Sequence, residues 1–341
     1  MELSVILYTA VNAVAPVILT ILLGYFLKRI GFLTPEFLKI GNKLVFNVCL
    51  PAMLFVNVYV IEGFSAINWD IVLYCVAALV VLFVLGLGIT LASTRVPERR
   101  GCIWQCTFRS NFAIIGLSLA SALGGDDAVA VAAIVSSFTV PLFNVLSVIA
   151  LSVFVEGNEG KNTPKALVMK MAKNPLILSV LLGLGCLAIR EAQLAAFGRV
   201  VFALNRETKF LYTTLNNLKS IASPFALIVL GGQFEFSAVK GLLKEIVAGT
   251  TARIVIAPII GIGGAVLLSA YTGLLSCGPA EYPALIAMFG SPVAVSSAVM
   301  AGNMGNDEQL ATQLVVWTSI FSIVTVFLEV CILMAAGLIV A

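Results

Sequence analysis

Two triplets in this chain set hydrogen-bonding and helix-breaking residues inside otherwise apolar runs. They are Arg109-Ser110-Asn111 in "FRSNFAIIGLSL" and Gly290-Ser291-Pro292 in "FGSPVAVSSAVMA". Proline gives no N–H to the helix ladder, and its ring clashes with the preceding turn. Serine and asparagine offer local partners to the backbone groups freed in this way. A helix that stops and restarts there presents unbonded N–H groups and a positive dipole end, which together attract anions. The chemistry implied is recognition of a negative group. Arg109 adds a planar guanidinium that can grip a carboxylate through two bonds; its position equally suits an arginine snorkelling to the nearer surface. Asn47, Asn144, Thr318, Ser319 and Ser322 are uncharged polar residues inside apolar segments, where interhelical hydrogen bonding is the usual role. Asn47, Asn144 and Thr318 also count as lining if they lie near the breaks. The candidate substrate-binding set is therefore Arg109, Ser110, Asn111, Ser291, Pro292, Asn47, Asn144 and Thr318. Two further charges interrupt apolar segments: Arg253, read as paired or snorkelling, and Glu329, expected at an interface.

Other chemistries are excluded or disfavoured. The chain contains no histidine, which removes histidine relays, histidine-ligated metals and Ser-His or Cys-His catalysis. Its seven cysteines lie in or beside apolar segments and are odd in number, so they read as reduced packing residues. Cys102 and Cys106 are four apart without further ligands nearby, which argues against a metal site. No cofactor is expected, and a net charge of +3 gives no reason to expect nucleic acid.

The elements that must position these residues are membrane helices. Hydrophobic residues make up 60% of the 341 positions and charged residues 11%, against about 25% charged in soluble domains. Mean hydropathy is +1.09. A helix needs about 20 apolar residues to cross the hydrocarbon, and ten segments qualify: 7–27, 40–60, 71–92, 103–123, 128–154, 174–190, 217–234, 247–270, 282–302 and 310–338. No basic residue precedes Lys28, so the first segment reads as a retained helix and not as a signal. Basic residues cluster in alternate loops: Lys28 to Lys43, Arg95 to Arg100, Lys161 to Lys173, and Lys240 with Lys244. The positive-inside rule makes those loops cytoplasmic and puts both termini outside a multi-pass protein of the cell membrane. The connection between segments six and seven runs against the rule, with Arg190, Arg199, Arg206, Lys209 and Lys219 on the outer side. Its mixture of apolar and charged residues suits either an interfacial helix or a solvated loop.

The chain also repeats itself. "PVILTILLG" from Pro16 and "PLILSVLLG" from Pro175 share six of nine positions. They fall in segments one and six, an odd number of spans apart, so the copies cross in opposite directions. Pro51 and Pro224 correspond in segments two and seven, and Phe108 and Phe289 begin the matching broken stretches in segments four and nine. This order predicts an all-α polytopic fold of ten transmembrane helices. Two inverted five-helix repeats, 1–155 and 174–341, would be joined by a short cytoplasmic loop, 156–173. Secondary transporters use such repeats and bind substrate at the midplane between them.

On "LPAMLF", "RSNFAIIGLSL", "VPLFNVLSVIAL", "KNPLILSVLLGL", "SPFALIVLGG" and "SPVAVSSAVMA", the chain resembles the auxin efflux carrier family. That family spans plant PIN-type carriers and bacterial permeases for malate- or malonate-like dicarboxylates. The resemblance implies a scaffold of helices 1, 2, 6 and 7, a mobile transport unit of helices 3–5 and 8–10, and a crossover of broken helices 4 and 9. It matches the family's crossover asparagine to Asn111 and its crossover proline to Pro292; the first break has no proline and rests on Ser110 and Asn111. The expected function is secondary, elevator-type transport of a small organic anion within membrane lipid, with H+ or Na+ as the coupling ion. A homodimer through the scaffold is compatible with this arrangement. The alternatives are a sodium-coupled organic-anion symporter of the bile-acid type and a transporter-like membrane sensor. An intramembrane enzyme is disfavoured, because the spans hold no acidic cluster and no nucleophile-base pair.

Overall fold

The computed structural model describes residues 3–60, 69–155 and 174–339. The expected linker 156–173 lies outside the described residues. Among them all regular structure is helical, apart from one isolated bridge between Ser110 and Val293. Without water in a bilayer core, backbone groups must be satisfied within a segment, and a helix does this.

The first helix, α1 (Leu3–Arg29), gives way to a turn at Gly31. Thr34 then caps α2 (Pro35–Leu44) by accepting the Phe37 N–H at 3.2 Å, with proline at the first position where its missing N–H is harmless. A π-helical segment, Val45–Cys49, carries the chain directly into α3 (Leu50–Tyr59). Next come α4 (Trp69–Ser93), α5 (Pro97–Phe108) and, after a break and a π-segment at Phe112–Gly116, α6 (Leu117–Val153). The second half contains α7 (Pro175–Phe197), the short α8 (Leu204–Glu207) and α9 (Lys209–Gln233). Then α10 (Val239–Thr251) runs through two π-segments, Ala252–Ile256 and Ile259–Gly263, into α11 (Gly264–Tyr271). Finally α12 (Glu281–Leu285) and its π-segment Ile286–Gly290 stop at a second break, followed by α13 (Ser296–Asn303) and α14 (Glu308–Ala335). Four of the five π-segments lie beside Pro51, Pro258 or Pro292, where a missing N–H loosens the regular ladder.

Among the described residues, six helical stretches are long and apolar enough to cross a membrane: Pro35–Tyr59, Trp69–Ser93, Leu119–Val153, Pro175–Phe197, Phe236–Tyr271 and Glu308–Ala335. Ten were expected from hydropathy. The interruptions are one reason for the difference, since neither half of a broken helix reaches the required length. Boundaries differ too. The fourth segment begins at Pro97 and not at residue 103, because the charge of Arg99 is met by Glu245 at 3.0 Å and Asp307 at 3.1 Å. Segments four and five follow each other almost without a loop: α6 comprises two helices that meet at Gly125 (φ 64°, ψ −155°), a conformation only glycine adopts readily. In the basic connection, Arg190 belongs to α7 and Lys209 and Lys219 to α9, so the only helix left between them is the four-residue α8.

The polarity is that of a membrane protein. Large apolar side chains such as Leu182, Val84 and Ile332 face outward, while Gln105, Asn144, Gln313, Thr312 and Ser322 are buried. The tightest helix contacts are made by glycines. A Cβ on Gly24 of α1 would strike the backbone of Ile228 in α9, and one on Gly231 of α9 would strike the backbone of Ile21. Gly183 of α7 likewise leaves room only for Val58 and the Phe55 carbonyl of α3. Gly24 and Gly183 are the closing residues of the two copies of the repeated nonapeptide. Each copy uses its glycine to bring one helix backbone against another.

Candidate functional site

The two breaks meet. The backbone of α5 ends at Arg109 in an extended conformation, and helix resumes at Phe112. The other break begins at Ser291 (φ −63°, ψ 147°), and helix resumes at Ser296. The Asn111 N–H donates to the Pro292 carbonyl at 2.8 Å, and Ser110 pairs with Val293 as an antiparallel bridge. Backbone groups freed by one break are thus satisfied by the other. The Val293 N–H reaches the Thr318 hydroxyl of α14 at 3.3 Å, and Ser291 Oγ donates to the Ala287 carbonyl at 2.6 Å. Thr318 and Ser291 therefore hold the second break in shape.

Two buried arginines flank this join. Arg253, fully buried, donates to the carbonyls of Phe108 at 3.3 Å, Met288 at 2.9 Å, Phe289 at 2.8 Å and Ser291 at 3.0 Å. One guanidinium so caps the carbonyl ends of both incoming half-helices, where the partial charge is negative. Of the two readings of Arg253 in sequence, pairing holds, and its partners are carbonyls. Arg109 lies on the other side. It donates to Asn144 Oδ1 at 2.9 Å, Ser296 Oγ at 2.7 Å and Met300 Sδ at 2.7 Å. Its side chain stays buried and does not snorkel. Glu329 also departs from expectation. Both its carboxylate oxygens are buried against Gly290, without a hydrogen-bond partner among the described residues.

Arg109, Ser110, Asn111 and Asn144 line one cavity of about 40 Å³, together with Leu50, Ser223 and Ser296 among others. Ser110 Oγ and Asn111 Nδ2 are buried there with no partner among the described residues. Ser291, Pro292 and Thr318 support the cavity from behind and do not line it. Asn47 is not brought to the site: it is exposed and donates to the Lys43 carbonyl at 2.9 Å. Ser296 and Ser223 were not singled out in the sequence, although Ser296 lies directly after a break. A second cavity, of about 910 Å³, adjoins the first and shares Met53, Leu54, Val140 and Ser223 with it. It extends to Val60 at the end of α3 and includes Lys219. Among the described residues no cluster of His, Cys, Asp and Glu suits a metal ion.

Apolar helices of membrane-crossing length, with buried polar groups gathered where two interrupted helices join, are features of a polytopic membrane transporter. The sequence comparisons agree: the chain belongs to the family described as membrane transport protein, whose profile matches residues 9–329. It is 27% identical over 252 residues to an uncharacterized transporter of Methanocaldococcus jannaschii, covering 72% of this chain and 76% of the relative. It is 24% identical over 318 residues to an uncharacterized transporter of Methanothermobacter thermautotrophicus, covering 92% and 95% of the two chains. The family resemblance read from the motifs is thereby shown.

Proposed function

We propose that this chain is a secondary transporter of a small organic anion, bound where the two interrupted helices join. One observation carries the reading: Ser110 Oγ and Asn111 Nδ2 are buried beside Arg109 without partners among the described residues. Unsatisfied buried donors cost free energy unless water or a ligand meets them. The resumed helices at Phe112 and Ser296 turn their positive ends toward the same space. All of these groups favour a carboxylate.

In this reading the chain spans the membrane ten times, as two inverted five-helix sets, and the breaks form a crossover. The reciprocal glycine contacts of α1 with α9 and the contact of Gly183 in α7 with α3 support a scaffold built from α1, α2–α3, α7 and α9. The remaining helices form the moving unit. Polar ties join the two at one end of the bundle. Glu308 accepts from Asn42 at 2.5 Å and Gln233 at 2.8 Å, and Gln309 and Gln313 donate to the carbonyls of Gln233 and Glu235, each at 2.8 Å. The large cavity lies toward the other end, so this conformation is closed at the tied end. A cavity of about 40 Å³ holds about one water. A carboxylate therefore requires Arg109 to exchange its bonds with Ser296 and Met300 for bonds to the substrate.

The test is a thermal-unfolding screen of the purified protein against mono- and dicarboxylates with sodium and pH varied. A binder at a hundred times its Kd stabilises the folded state by about 2.7 kcal/mol. Stabilisation by a carboxylate that disappears in Asn111→Ala is the expected result. Neutral solutes that stabilise while no carboxylate does would overturn the reading.

A further inference from the structure

The second cavity contains a charge with no assigned role. Lys219 lies ten residues inside α9 (Lys209–Gln233), about 15 Å along the helix from its start at 1.5 Å per residue. It is half-buried, and among the described residues it is the only charged one on the lining of the 910 Å³ cavity. Among the described residues no carboxylate lies within ion-pairing distance of it, and no hydrogen bond from its ammonium is recorded. A partly buried ammonium is costly unless it faces water or an anion. Around it the wall is apolar, with hydroxyls and an amide from Thr20, Asn57, Ser137, Ser220 and Ser223. Low-dielectric walls focus the field of one charge into the space they enclose.

The spacing along α9 links this charge to the join. Lys219 and Ser223 are four residues apart, hence on one face and one turn apart, and Ser223 lines both cavities. Arg109 lines only the small cavity and Lys219 only the large one. In the present conformation the space at Arg109 takes a water, whereas the space at Lys219 takes a whole small organic molecule.

We propose that Lys219 is the charge-selecting residue of the large cavity. It holds the anionic group of an organic anion at a waiting site one helical turn from the join, before Arg109 becomes available. This assignment rests on the organic-anion reading for its substrate, although the charge selection itself can be measured without any substrate. It also takes one of the five basic residues of the 6–7 region out of the positive-inside count: Lys219 faces a cavity and is not part of an outer loop.

The experiment introduces Ser137→Cys as a reporter on the cavity wall. It compares labelling of the reporter by two thiol reagents of similar size, the anionic sulfonatoethyl and the cationic trimethylammonioethyl methanethiosulfonates. The parent chain without the reporter gives the background from native cysteines. The anion-to-cation rate ratio should fall about tenfold in Lys219→Gln, persist in Lys219→Arg, and lose its contrast at high salt as screening shortens the field. A ratio unchanged by Lys219→Gln would overturn the proposal. Succinate and propionate provide the second arm. Slowing of reporter labelling that is lost in Lys219→Gln supports the waiting site. Equal slowing in both would overturn the assignment to Lys219 while leaving the transporter reading intact. No slowing in any variant would overturn the waiting site for carboxylates and count against the organic-anion reading, with the reagent ratio still deciding charge selection.

Discussion

Arg109 and Arg253 are both buried arginines, yet their partners give them different tasks. Every hydrogen bond of Arg253 among the described residues goes to a backbone carbonyl, so its role is to hold the broken ends together. Arg253→Met leaves those carbonyls buried without donors, at about 1–3 kcal/mol for each that stays unmet. The expected outcome is a clear fall in the thermal midpoint and in the yield of folded protein, with Arg253→Lys intermediate. Arg109 meets side chains that can rotate away. Arg109→Lys and Arg109→Gln should both weaken carboxylate binding, Gln more, by on the order of 2–5 kcal/mol. Their thermal midpoints should change less, because Asn144 keeps its bond to the Val140 carbonyl at 2.7 Å. Apparent affinity of folded variants checks this, and unchanged affinity in Arg109→Gln would remove Arg109 from the site. Arg109, Ser110 and Asn111 were legible in sequence because polar groups stand out in an apolar run. Asn47 stood out equally and faces away, since composition does not tell which side of a helix a residue occupies. Lys219 was hidden for the opposite reason: neighbouring charges made it look like loop.

Helices announce themselves by hydropathy, but their joints do not. The breaks were readable because Pro292, Ser110 and Asn111 interrupt long runs, whereas the Asn111–Pro292 backbone bond joins residues distant in sequence and leaves no local signal. Pro292→Ala should let α13 extend backward and draw its backbone out of that pairing, reducing carboxylate binding in a protein that still folds. Wild-type binding would make Pro292 a tolerated kink. The repeated nonapeptide has a sharper test. A methyl on Gly24, Gly231 or Gly183 meets backbone or a β-branched Cβ, while Gly185 has open space. Overpacking costs about 1–3 kcal/mol, so Gly24→Ala, Gly231→Ala and Gly183→Ala should each lower the thermal midpoint measurably. Gly185→Ala should not, and equal midpoints across the four would contradict the tight scaffold packing.

At the scale of the whole molecule, the account requires two ends that open in turn. In the proposed reading, the ties of Glu308 to Asn42 and Gln233 close one end. Cysteines at Asn42 and Glu308, joined by a short thiol cross-linker, should stop turnover while leaving binding from the large cavity intact. Orientation is tested separately: a cysteine at Ser237 should react from the cytoplasm and one at Gly278 from outside. The most direct measurement is counterflow of labelled mono- and dicarboxylates into proteoliposomes, run side by side on the parent chain and Asn111→Ala. The account predicts exchange of at least one carboxylate by the parent and a loss of about tenfold or more in Asn111→Ala, the order expected when about 1.4 kcal/mol of binding is removed. Exchange at the parent rate by Asn111→Ala, or no carboxylate exchanged by a folded parent protein, would contradict it.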